Sequence, residues 1–255
     1  MVLSDAAPKG RARPARPKPK TPPGVIAAKA VVHLLCLAPL ALLGWRFWEV
    51  WKTGSDALGA DPIAEVEHFT GLWALRLLMF TLAITPLRQL TGQSVLIRFR
   101  RMLGLYAFVY ACFHLAAYLG LDLRGYWTQI FAEIVKRPYI TVGFAAWLLL
   151  VPLAITSTTG WIRRLGRNWG RLHKAIYAIG VLAVLHFWWL VKSDIREPAL
   201  YAGILAVLLG WRAWKAVSRR RTAAAPKAAR PAPRPPAAAT ASASAKPPEA
   251  ARSPE

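Results

Sequence analysis

Five histidines stand in this chain of 255 residues, and their positions carry its chemistry. His114 and His186 each fall inside a long apolar run, where an ionisable side chain is costly and marks a functional site unless a polar contact explains it. His114 lies about seven residues before the end of its run and His186 about five, so at a rise of about 1.5 Å per residue their depths agree within about 3 Å. Two neutral imidazoles facing each other at one depth can supply both axial nitrogens to a haem iron. Ordinary interhelical hydrogen bonds are the competing account of the same residues.

His173 precedes His186 by thirteen residues, roughly 20 Å along a helix, and so belongs near the opposite membrane face. That spacing rotates by about 220° on an ideal helix, so both imidazoles reach one neighbour only if the helix kinks. On the run that carries His114, the position that matches it in depth holds Arg100, followed by Arg101, and no histidine. A second haem therefore lacks an obvious fourth ligand. His173 with Arg100 and Arg101 can instead hold a haem propionate, a quinone or a flavin phosphate, while the arginines can equally be plain anchors at the membrane edge. His33 and His68 have no depth-matched partner; a polar contact within the bundle is expected for the first and a surface position for the second.

The elements that must position these residues are membrane helices. The chain is 55% hydrophobic with a positive mean hydropathy. A helix needs about 20 residues to cross a hydrocarbon core of roughly 30 Å, and six runs of about that length are present: residues 30–50, 69–87, 102–121, 139–157, 173–191 and 198–217. In lipid the backbone must satisfy itself, which leaves helices as the form for such runs. The expected fold is an all-α integral membrane protein, a six-helix bundle over residues 30–217. Pro39, Pro86 and Pro152 are expected to kink or end their helices.

Charge sets the expected orientation. The net charge of +22 suggests nucleic acid in a soluble protein. Here the cations lie in the tails and in two short loops, where they orient the chain and attract the lipid surface, so no nucleic-acid partner is expected. Arg98, Arg100 and Arg101 follow the second run, and Arg163, Arg164, Arg167 and Arg171 follow the fourth, with no acid among them. The other three connections are acidic or mixed: Asp56, Asp61, Glu65 and Glu67 in the first, Asp122 and Glu133 beside Arg124, Lys136 and Arg137 in the second, and Asp194 and Glu197 beside Lys192 and Arg196 in the third. All five loops fit one arrangement with both termini cytoplasmic. Residues 1–29, basic and proline-rich, and 218–255, rich in Ala and Pro, are expected to be disordered cytoplasmic tails. Cys36 and Cys112 fall inside runs and fit neither a disulfide framework nor a zinc site.

Three stretches together are specific: RFRRMLGLYAFVYACFHLAAYLGLD, KRPYITVGFAAWLLLVPLAITST and NWGRLHKAIYAIGVLAVLHFWWLVKSD. They join FHLAAY, a Thr-Ser pair ending the fourth run, WGRLHK and LHFWW in order, and from about Phe69 to Trp214 the chain resembles the MsrQ (formerly YedZ) family of the ferric reductase-like transmembrane superfamily. The resemblance implies a six-helix b-type cytochrome of the bacterial inner membrane. It implies electrons taken from the quinone pool and given to MsrP, a periplasmic molybdopterin enzyme that repairs oxidised methionines, with no methionine sulfoxide reduction by this chain alone. By matching motif, His114 and His186 become the principal haem ligands and His173 an additional haem-associated histidine. Flavin mononucleotide is also implied, with no residue motif for it here.

Two other classes compete. A self-contained metalloreductase of ferric reductase type would bring a flavin and nicotinamide domain, for which this sequence has no strand-turn-helix pattern. A transporter or other non-redox membrane protein would show interrupted helices in symmetric positions, and no internal repeat is evident in the sequence.

Overall fold

The structure is a computed structural model that describes residues 22–123 and 126–224. The remaining parts of the two expected tails lie outside the described residues. The described residues form nine α-helices: α1 (Pro23–Thr53), α2 (Pro62–Thr91), α3 (Ile97–Ala117), α4 (Trp127–Lys136), α5 (Pro138–Ile155), α6 (Thr159–Leu165), α7 (Arg167–Leu172), α8 (Ala175–Leu190) and α9 (Arg196–Ala224). A short 3₁₀ turn, Ser94–Leu96, leads into α3, and a π-helical turn, Tyr118–Asp122, continues it. Six helical segments are long and apolar enough to cross a membrane, and the chain is a multi-pass, all-α membrane protein.

Local chemistry explains where these helices begin and end. Pro23, Pro62 and Pro138 sit in the first turns of α1, α2 and α5, where the absent N–H costs nothing and the fixed φ suits a helix. Asp61 caps α2 by accepting from the Ala64 N–H at 3.1 Å. Gly54 (φ 64°) and Gly92 (φ 71°) close α1 and α2 in the left-handed conformation that only glycine adopts freely. Because Val25, Ile26, Ala27 and Ala28 extend the apolar run, α1 starts at Pro23, before the expected Ala30. The helices run on through Pro39, Pro86 and Pro152.

Met1–Lys215 and Ala216–Glu255 separate as two units. In the second, residues 216–224 are helical. The first is built on two antiparallel hairpins, α2 with α3 and α5 with α8, which make the most extensive helix pairings. Leu82 and Ile179 are completely buried where α2 and α8 meet the core. Tyr110 of α3 is also buried, and its hydroxyl donates to the Cys36 carbonyl of α1 at 2.8 Å. On α9, Tyr201 accepts from Arg76 of α2 at 2.9 Å, and Arg212 donates to the Leu82 carbonyl at 2.6 Å. Leu34, Trp51 and Val207 lie 68%, 83% and 71% exposed, an apolar exterior suited to lipid rather than water.

Two features of the connections go beyond the sequence reading. The acidic loop between the third and fourth spans contains α4, and the basic loop between the fourth and fifth folds into α6 and α7. The fifth span is α8, and His173 and Lys174, expected within its first turn, form a turn that separates it from α7. Antiparallel packing gathers Asp61, Glu65, Asp122, Glu133 and Glu197 at one end of the bundle. The other end holds Arg98, Arg100, Arg101, Arg163, Arg164 and Arg171, with no acid among the described residues there.

Candidate functional site

His114 on α3 and His186 on α8 project into one cavity between α2, α3, α5 and α8, with a volume of about 970 Å³. Small side chains make the room: Ala74 on α2, Ala107 and Ala111 on α3, Ala146 on α5 and Ala183 on α8 all line it. The two imidazole centres lie 6.1 Å apart with their planes at 72°.

Each imidazole is aimed by the same device. His114 Nδ1 lies 2.9 Å from the Glu67 carbonyl oxygen, and His186 Nδ1 lies 2.7 Å from that of Tyr139. A carbonyl can only accept, so Nδ1 carries the proton in both rings and Nε2 keeps its lone pair, the tautomer of a metal-ligating histidine. Both bonds reach back 47 residues in sequence. One helical turn after each acceptor stands a glycine, Gly71 and Gly143. A Cβ on Gly71 would meet His114 Nδ1 at 3.1 Å, and one on Gly143 would meet His186 Nδ1 at 2.6 Å. The glycines let backbone and ring approach closely enough to bond. The device therefore occurs twice, a repeat that side-chain types alone do not reveal.

Among the described residues no group of three or more His, Cys, Asp or Glu side chains is placed to hold a metal ion. A metal between His114 and His186 thus needs its other ligands from the group that carries it, as in a planar tetrapyrrole. Metal–nitrogen bonds of about 2 Å on either side of an iron put the two ring centres roughly 6 Å apart, which the pair meets. Two residues that line the cavity each hold a buried polar atom without a hydrogen bond among the described residues, Tyr118 Oη and Glu67 Oε1. The size of the cavity and two imidazoles at this separation fit a haem.

The other sequence candidates stand elsewhere. His173 stacks on Trp169 with ring centres 3.9 Å apart, with Nδ1 3.1 Å from the Trp169 carbonyl and Nε2 3.5 Å from Ser157 Oγ. Arg100 donates to Thr85 Oγ1 at 3.4 Å, and Arg101 is exposed. None of these three lines the cavity. His33 bonds Tyr106 Oη at 2.8 Å, and His68, half exposed, lies 3.7 Å from Glu197 while its residue also lines the cavity mouth. The sequence reading missed Gly71, Gly143, Tyr118, Arg137 and the two acceptor carbonyls. The equal spacing from each histidine back to a glycine was the one available signal.

Comparison with known proteins bears on this arrangement. Residues 70–184 match the ferric reductase like transmembrane component, a stretch that includes Gly71, His114, Gly143 and His173 and stops short of His186. The protein-methionine-sulfoxide reductase heme-binding subunit MsrQ of Xanthomonas axonopodis pv. citri (strain 306) is 80% identical over 205 residues, 80% of this chain and 94% of that protein. The chain belongs to the MsrQ family. The MsrQ of Xanthomonas campestris pv. campestris (strain 8004) is 79% identical over 208 residues, 82% of this chain and 95% of its own. A more distant MsrQ, from Caulobacter vibrioides (strain ATCC 19089 / CIP 103742 / CB 15), is 46% identical over 194 residues, 76% of this chain and 88% of its own. No solved structure matches.

Proposed function

We propose that this chain is the b-type cytochrome subunit of a methionine sulfoxide reductase system, relaying electrons from membrane quinol to a periplasmic molybdopterin partner, MsrP. The observation that carries the proposal is the facing pair His114 and His186, each fixed by a carbonyl in the tautomer that presents Nε2 to the cavity. The relatives are named heme-binding subunits, which supports the same reading.

Haem would supply a one-electron carrier here, and with His114 and His186 both engaged in holding it no position would be left for substrate. His114 and His186 hold it, and Glu67 and Tyr139 orient them through their carbonyls. The reduction of methionine sulfoxide then belongs to the partner. The cavity opens among Asp61, Asp122 and Arg137, at the acidic end of the bundle. By the positive-inside rule that end faces the periplasm of a bacterial inner membrane and both termini are cytoplasmic. His173, Ser157, Arg100 and Arg101 at the basic end form the proposed donor side, for a quinone head group or the phosphate of a flavin mononucleotide.

The test is the visible spectrum and haem content of the purified full-length chain, followed by a turnover experiment in membranes. Low-spin haem b is expected, reduced by quinol and reoxidised when the periplasmic reductase and an oxidised methionine substrate are added together. A folded chain without haem, sulfoxide reduction by the chain alone, or full partner activity in quinol-depleted membranes would each overturn the proposal.

A further inference from the structure

The cavity around His114 and His186 has two unlike ends. Towards mid-bundle its wall is apolar, formed by Leu78, Leu150 and Ile179 among others, whereas its mouth carries charge. The acids there, Asp61, Glu65, Glu67 and Asp122, lie on α2, at its cap and at the end of the π turn, and Arg137 is the one Arg or Lys among the described lining residues. Arg137 stands at the N-cap of α5, its Nη1 donating to Tyr139 Oη at 3.1 Å and its Nε 2.9 Å from Glu133. The Tyr139 hydroxyl, with Glu133 behind it, holds this guanidinium above the ordinary arginine value.

Tyr118 opens the π turn that follows the helix of His114, one turn beyond that ligand. A π turn inserts a residue into an α-helix and so shifts which side chains face a site. His114, Leu115, Tyr118, Leu119 and Asp122 all line the cavity. The Tyr118 hydroxyl is buried with no partner among the described residues, and leaving such a group unsatisfied costs about 1–3 kcal/mol.

We propose that Tyr118 and Arg137 form a carboxylate clamp that receives a propionate of the tetrapyrrole held by His114 and His186 and fixes the group's rotation in the cavity. The inference rests on the haem reading above. A haem b carries its two carboxylates on one edge and methyl and vinyl groups on the others. The apolar floor takes the hydrocarbon edge. Asp61, Glu65, Glu67 and Asp122 repel a carboxylate, and among the residues that line the mouth Tyr118 offers a neutral O–H donor and Arg137 a guanidinium, the pairing that carboxylates bind most strongly. Glu133 and Tyr139 act as positioning residues that hold the guanidinium.

The test uses the full-length chain in detergent, freed of haem and titrated with ferric haem b and, separately, with its dimethyl ester, which keeps the ring and iron and lacks both carboxylates. Binding is followed by the Soret band and retention by transfer to a haem scavenger. The native chain should hold the diacid about tenfold or more tightly than the ester. In the Tyr118→Phe/Arg137→Gln double variant the diacid should fall to the level of the ester, with ester binding and the bis-imidazole spectrum unchanged, and Arg137→Lys should keep part of the preference. Equal binding of acid and ester by the native chain overturns the clamp while leaving the haem reading intact, and this arm needs no variant to fold. Full preference for the acid in the double variant overturns it too. Binding of neither compound by the folded native chain overturns the haem reading itself.

Discussion

The backbone of Gly143 passes so close to the imidazole of His186 that a Cβ placed on it would lie 2.6 Å from Nδ1, the atom that bonds the Tyr139 carbonyl. A methyl group there must push the ring away and break the bond that sets its tautomer. Gly143→Ala should lower haem retention about tenfold or more. Gly71→Ala, where the corresponding approach is 3.1 Å, should do less. Haem-to-protein ratios of the two purified variants check the order, and full retention in Gly143→Ala would show that the contact does not position the ligand.

Replacing either His114 or His186 with Ala should remove most of the haem, because one strong axial ligand is then lost and the remaining position is left to water. His173→Ala should perturb the spectrum less, since that ring lies outside the cavity and stacks on Trp169. His68→Ala should change it hardly at all. A normal spectrum and haem content in His114→Ala would end the ligand assignment.

Tyr110→Phe separates stability from cofactor binding. It removes the hydroxyl that joins α3 to the Cys36 carbonyl of α1 and leaves the ring in place, so the loss should be about 0.6–1 kcal/mol. Thermal unfolding in detergent should show a lower midpoint with an unchanged Soret band. A shifted band would mean that this contact shapes the cavity as well.

Topology can be read with single cysteine probes at Ala60, in the acidic α1–α2 loop, and at Gly166, between α6 and α7. Charge asymmetry predicts labelling of Ala60→Cys from the periplasm and of Gly166→Cys from the cytoplasm. Native Cys36 is buried and Cys112 is partly so, and the unmodified chain serves as the background. Reversed labelling would place the cavity mouth on the cytoplasmic face and rule out a periplasmic electron acceptor docking there.

The six spans were legible in the sequence because crossing a bilayer is a local requirement: about 20 apolar residues suffice whatever they pack against. The confinement of acids to alternate loops was legible for the same reason, as was the matched depth of His114 and His186. Only the tertiary structure decided that the two rings face each other 6.1 Å apart, since depth along a helix says nothing of rotation about its neighbours. It alone assigned Glu67 and Tyr139 as acceptors. A backbone carbonyl is present at every residue, so no side-chain type announces which one a histidine will use. The turn at His173 that ends α7, the π turn that carries Tyr118, and the near contacts at Gly71 and Gly143 likewise arise from how helices distant in sequence pack. Hydropathy and charge along the chain fix each helix in the bilayer, but close packing between helices decides which atoms meet.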